Sequence, residues 1–194
     1  DAQESRGLGD VYKRQVWNGL QRLEVVSVTL DQDRDEPQLV FESMNSTGLD
    51  LETSDLVRNY MLMGCSMAEQ KTLYEDYWLP MERVLGNLLF DAFLHDWMVV
   101  TLKKPVLKGR VMYAEFKRFA ADSSLLRMER TRNLLANMLE YAKYYAAIKG
   151  VAAAGSGDMN VDRRLESIQK LGSTVTDPLV MYMFAAWKLS LIHI

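Results

Sequence analysis

The sequence predicts a mainly α fold: the helical part of an α+β domain that is truncated on its sheet side, entered through one N-terminal strand. Three observations predict it. Apolar residues recur at spacings of three and four through most of the chain after Thr53. Near the start, Val25, Val26, Val28 and Leu30 form a single β-branched, strand-like run. A lone strand cannot satisfy its own backbone donors and acceptors, so its partners are expected upstream of it.

The elements follow in order. Trp17 to Leu23 reads as the end of a helix, and the strand-like run comes next. Asp31 to Glu36 is a polar break, and Pro37 suits the first turn of a short helix carrying Leu39, Val40 and Met44. Asn45-Ser46-Thr47-Gly48 is a turn signal that ends it. Thr53 or Ser54 is expected to cap the next helix, which runs to about Met63 and stops at Gly64. Ser66 and Glu69 have the spacing of a capping box for a helix through Tyr77, and Pro80 is expected to break or kink it. Leu88 to Leu102 forms an apolar helix ended by Pro105, and Val111 to Ala121 forms another. Leu125, Met128, Leu135, Met138, Leu139, Ala142 and Tyr145 outline one long amphipathic helix. Gly150 to Gly157 reads as a loop, followed by helices over Val161 to Leu171 and Leu179 to Trp187, with Pro178 in the first turn of the last.

Composition narrows the function classes. The 194 residues are 48% hydrophobic and 25% charged, ordinary globular values that exclude a disordered chain. A net charge of −3 predicts no broad electrostatic hold on nucleic acid. The single cysteine, Cys65, excludes an intramolecular disulfide framework and a multi-cysteine zinc site, and fits a reducing compartment.

The two ends read differently from the rest. Asp10 to Gln15, D-V-Y-K-R-Q, resembles the translation of GATGTGTATAAGAGACAG, the mosaic end of transposase-made sequencing libraries. Leu189 to Ile194, L-S-L-I-H-I, resembles the translation of its reverse complement. Ser5 to Gly9 match the adapter upstream of the first string, in frame. The resemblance implies that residues 1–15 and 189–194 are adapter-derived, and that residues 16–188 are one partial domain, a strand and then a helical bundle. His95 is the one histidine of that interval, and no segment there has the roughly 18 uninterrupted apolar residues of a spanning helix. No membrane association is therefore expected.

Four constellations could carry chemistry. Asp31, Asp33, Asp35 and Glu42 have the spacing of a calcium loop, but Glu36 stands where that loop requires glycine, and a strand precedes it where a helix is needed. A solvated acidic loop is the better account. His95, with Asp91 and Asp96 near it, is too sparse a donor set for a metal nuclease and reads as a packed or half-exposed core residue. Arg127, Arg130 and Arg132 could touch phosphate or form a solvated face. The fourth is Phe41 to Tyr60, F-E-S-M-N-S-T-G-L-D-L-E-T-S-D-L-V-R-N-Y. There Asn45 and Gly48 permit a tight loop, and Asp55, Arg58 and Asn59 share one helix face. A ligand site and a network holding loop to helix both fit this pattern, and the spacing favours the network.

This segment resembles the N-terminal domain of GmrSD-type modification-dependent restriction endonucleases. The hallmark there is F-E-x-x-N-x-x-G-x-x-L followed by D-L-x-[KR]-N-Y. Phe41, Glu42, Asn45, Gly48 and Leu51 supply the first part, and Asp55, Leu56, Arg58, Asn59 and Tyr60 the second. Weaker similarity continues through Leu73-Tyr74, Tyr77 to Glu82, Tyr113 to Phe119 and Tyr141 to Tyr145. The resemblance implies a ParB-like or sulfiredoxin-like domain with a helical extension, in a cytoplasmic protein of a prokaryote or phage that cuts modified foreign DNA. It implies an upstream sheet with a D-G-Q-Q-R motif for nucleotide binding and hydrolysis. It further implies a downstream His-Asn-His nuclease module, so that nucleoside triphosphate and a divalent metal serve the parent protein. Neither catalytic motif lies in this chain: Gln21-Arg22 echoes the first but follows Asn18-Gly19-Leu20. The expectation is a non-catalytic fragment with no cofactor and no metal of its own. The alternative is a non-enzymatic helical protein-interaction module.

Overall fold

The computed structural model describes residues 2–24, 27, 40, 43, 51–121, 127–151 and 156–192. The chain divides into two compact units, Asp1–Pro37 and Gln38–Ile194. The first contains helix α1 (Ala2–Leu20), closed by a turn in which Gln21 and Arg22 donate to the carbonyls of Trp17 and Gly19. The helix expected to end at Leu23 thus ends three residues earlier, and it runs through the boundary expected at residue 15. The expected strand lies outside the described residues. So does most of the short helix after Pro37, whose two described residues, 40 and 43, are helical.

The second unit is mainly α, with no strand among the described residues. Helix α2 (Thr53–Leu62) ends at Met63, and Gly64 follows with φ 81°, the left-handed stop its position predicts. Its start is a correction. Neither Thr53 nor Ser54 caps it with a side chain. Instead their N–H groups donate to Asp91, at 3.2 and 2.9 Å, so a residue from a distant helix satisfies the free N-terminal donors.

Helix α3 (Met67–Leu73) opens with the expected capping box: Ser66 N–H donates to Glu69 Oε2 at 2.8 Å, and Glu69 N–H to Ser66 Oγ at 3.4 Å. These bonds hold the Glu69 carboxyl below its ordinary value. A π-helical turn, Tyr74–Trp78, then leads straight into helix α4 (Leu79–Leu102). The break expected at Pro80 therefore does not occur there. Proline at the second position of a helix clashes least, and the widened turn before it absorbs the loss of one donor. The break lies at Gly86, whose φ 62° and ψ 172° are not helical.

Lys103 ends α4 in the left-handed region, and α5 (Arg110–Ala121) follows within one residue of its expected start. Helix α6 (Arg127–Ile148) is the expected long helix. Gly150 closes it with φ 70°: its N–H donates to Ala147 and that of Val151 to Ala146, a Schellman close. Helix α7 (Met159–Gln169) is capped by Asp158, and α8 (Asp177–Ile192) has Pro178 in its first turn, as expected.

Helix α4 is the central rod. It packs on α6, α8 and α2, while α6 also packs on α7 and α8, and α2 on α5. The core is continuous across these contacts and is rich in rings. Trp78 stacks on Phe90 at 5.0 Å, Phe90 meets Phe93 edge-on, and Phe93 meets Tyr145 at 5.7 Å. Offset and edge-on rings at these separations are favourable beyond the area they bury. Among the described residues, no helix is long and apolar enough to cross a membrane.

Candidate functional site

The structure places Phe41, Glu42, Asn45 and Gly48, and the acidic loop Asp31, Asp33 and Asp35, outside the described residues. The second half of the motif is fully described. On α2, Asp55 and Arg58 face α4. Arg58 Nη2 lies 2.7 Å from Asp55 Oδ1, and Arg58 Nη1 donates to Glu82 Oε1 at 3.2 Å. Glu82 is the centre of this arrangement. Its Oε1 also accepts from Trp78 Nε1 at 2.9 Å, and its Oε2 from the Tyr74 hydroxyl at 3.0 Å. That last bond, with burial and the carboxylate's charge, pushes the Tyr74 hydroxyl above its ordinary value.

One carboxylate thus gathers a guanidinium from α2 and an indole and a phenol from the π-helical turn. All of these side chains are buried or half-buried, and each donor named is used inside the fold. Asn59 is half-buried on the same helix, and its carbonyl accepts the N–H of Met63. Tyr60 is a packing residue. Its ring meets Tyr113 at 6.5 Å and Phe116 at 5.9 Å, both edge-on, which joins α2 to α5.

Asp91, read beside His95 in the sequence, belongs to the start of α2. Glu52, at the same place, shares a hydrogen bond with it, and this raises the Glu52 carboxyl. Arg130, for which the sequence leaves a phosphate contact and a solvated face both open, donates at 3.1 Å to the carbonyls of Ala120 and Ala121 at the end of α5. That is a C-terminal capping role. Cys65 is half-buried after the α2 stop.

His95 sits elsewhere and is half-buried, within the packed or half-exposed reading of the sequence. It lies on the wall of a cavity of about 1030 Å³ between α4, the segment 103–108, α6 and the start of α8. Its Nε2 is 2.9 Å from the carbonyl of Val106, and its Nδ1 is 2.9 Å from Asp96 Oδ1. A carbonyl only accepts, so Nε2 carries a proton. Nδ1 then either donates to an ionised Asp96 or accepts from a protonated one. Asp96 is 7% exposed, and burial raises its carboxyl pKa, with the His95 contact opposing the shift.

Beside this pair, the Lys149 ammonium binds Asp177, which is 3% exposed, and stands 5.3 Å from the centre of the Tyr145 ring. Burial and the neighbouring carboxylates of Asp96 and Asp177 raise the Tyr145 hydroxyl. Asp96, Tyr145, Lys149 and Asp177 were not assembled by sequence reasoning, because they come from three helices and share no local spacing. Lys149 lies just past the end of α6 and Asp177 opens α8, so no helical periodicity marks either as a partner of Asp96.

Among the described residues, no three His, Cys, Asp or Glu side chains converge as metal ligands do. No family model, curated protein or solved structure matches this chain.

Proposed function

We propose that the chain is the non-catalytic helical part of a GmrSD-like DNA-defence protein, and that its D-L-V-R-N-Y stretch acts as a structural fastener. The observation that carries the second half is the double engagement of Arg58, held by Asp55 on its own helix and by Glu82 on the next rod. A guanidinium with both its partners inside the fold ties α2 to α4, which supports a structural role for it. The first half is supported by the motif of residues 41–60. In this reading, DNA, nucleoside triphosphate and a divalent metal are partners of the parent cytoplasmic protein, through an upstream sheet and a downstream nuclease module. The described residues supply no donor set for the metal.

The test has two parts. Extending the source DNA in both directions should reveal a D-G-Q-Q-R segment upstream and a His-Asn-His module downstream. Unrelated flanks overturn the parentage and leave a helical interaction module. In the extended protein, Arg58→Ala should lower the melting temperature while nucleotide hydrolysis per folded molecule is kept. Lost hydrolysis at unchanged stability overturns the fastener role.

A further inference from the structure

The cavity beside His95 is independent of the Arg58–Glu82 fastener. Its volume, about 1030 Å³, lies at the upper end of the range of small-molecule sites, roughly 300–1,000 Å³. Leu89, Ala92, Val99 and Val100 of α4 form one wall, and Val175 and Leu179 the opposite one. These are aliphatic surfaces, suited to a hydrocarbon body.

The polar groups at its floor are already engaged: Lys149 with Asp177, and His95 with Asp96 and the Val106 carbonyl. The charge that faces solvent is on the segment that closes α4. Lys103, Lys104 and Lys108 line the cavity and are exposed. Lys104 is held by Glu115 at 2.8 Å. Lys103 is turned by its left-handed backbone, φ 53° and ψ 34°, a conformation uncommon in residues other than glycine.

We propose that this cavity binds a small amphiphile with an anionic head, its aliphatic tail between α4 and α8 and its carboxylate at Lys103 and Lys108. Charge complementarity selects the head: of the four lysines in the lining, Lys149 is paired with Asp177 and Lys104 with Glu115, which leaves Lys103 and Lys108 as the cations without an acidic partner among the described residues. Aliphatic walls select the tail. The engaged floor leaves no cation at depth for the head, which sets its direction.

The experiment uses the chain as it stands and titrates it with decanoate below its micelle concentration, followed by calorimetry and by chemical shifts of the cavity methyl groups. Decanoate should saturate at one per chain. Decanol, with the same tail and no charge, should bind about tenfold more weakly, a difference of about 1.4 kcal/mol. Propionate, with the same head and almost no tail, should not saturate. Lys103→Ala with Lys108→Ala should erase the advantage of decanoate over decanol and its salt dependence. Leu179→Glu, a change at an exposed position, should weaken decanoate by repulsion, with the melting temperature as the check on folding.

Equal affinity for decanoate and decanol overturns the anionic head. Unsaturable binding, or shifts confined to other surfaces, overturns the site. Binding to phosphatidylglycerol vesicles without binding of monomeric decanoate overturns a small-molecule pocket in favour of a membrane surface. Should Leu179→Glu fail to fold, the two surface lysine changes decide alone.

Discussion

Two polar clusters lie along the same rod, α4, on either side of the Gly86 break. Glu82 gathers Arg58, Trp78 and Tyr74 before it; His95 and Asp96 stand with Tyr145, Lys149 and Asp177 after it. The first holds half-buried charge and the second buried charge, and both join separate helices. They differ in what lies next to them. The Glu82 cluster packs into the core through Trp78, which stacks on Phe90. The His95 cluster borders a cavity of about 1030 Å³. Hydrogen-bonded polar groups inside a packed core specify a geometry. The same groups beside open volume can also meet a ligand. Residues of the 41–60 stretch thus join the first cluster, and residues with no motif border the cavity.

The sharpest way to break this contrast is at Asp177. Asp177→Ala leaves the Lys149 ammonium without its carboxylate in a largely buried place, and should cost about 3–5 kcal/mol in chemical denaturation. A loss under about 1 kcal/mol would mean that the pair is solvated and the cavity floor is wetter than its burial indicates. Next is Glu82→Ala, which strips an acceptor from three donors at once. Both partners of the ion pair keep about a quarter to a third of their side-chain exposure, so water recovers part of the loss, and about 2 kcal/mol is expected. If Glu82→Ala were neutral, the fastener reading would fail with it.

The smallest effect is a pH dependence. Burial raises the Asp96 carboxyl pKa in the folded chain, so the folded state binds that proton more tightly than the unfolded state does. Its contribution is fully present below the ordinary carboxylate value and is lost as pH rises through the raised folded value. Asp96→Asn keeps a donor toward His95 Nδ1 and removes the titration. The variant should therefore match the parent below the ordinary carboxylate value and become relatively more stable as pH rises from there through the raised folded value. Parallel stability curves for the two proteins would show that Asp96 does not titrate between folded and unfolded states.

Local chemistry was legible in the sequence. The capping box of Ser66 and Glu69, the stop at Gly64, the long α6 and the position of Pro178 all follow from residues a few places apart, and each is found. Where sequence and structure part, a distant residue or a backbone adjustment decides. Pro80 promises a break, but the widened turn ahead of it lets the helix pass. Gly86 looks unremarkable beside the apolar run after Leu88, yet it is where α4 departs from helical backbone. Asp55, Arg58 and Asn59 were legible as one helical face. Their partner Glu82 was not, because nothing in spacing shows which of many carboxylates a rod will present 24 residues later. His95 and Asp96 were visible as neighbours, while Lys149 and Asp177 reach them only through the packing of α6 and α8 on α4.

The cap on α2 has a consequence for the order of assembly. Helix α2 has 10 residues, short of the roughly 12–15 at which an isolated helix becomes even marginal in water. Its N-terminal donors are met by Asp91, 37 and 38 positions further along the chain. By contrast, α3, shorter still at 7 residues, carries both halves of its capping box within four residues, so its N-terminal cap needs no distant partner. The helix holding Asp55, Arg58 and Asn59 therefore gains its stability only once α4 has docked, late in folding, and its native contacts should be largely absent from the transition state. A lesion in that stretch should then speed unfolding more than it slows folding.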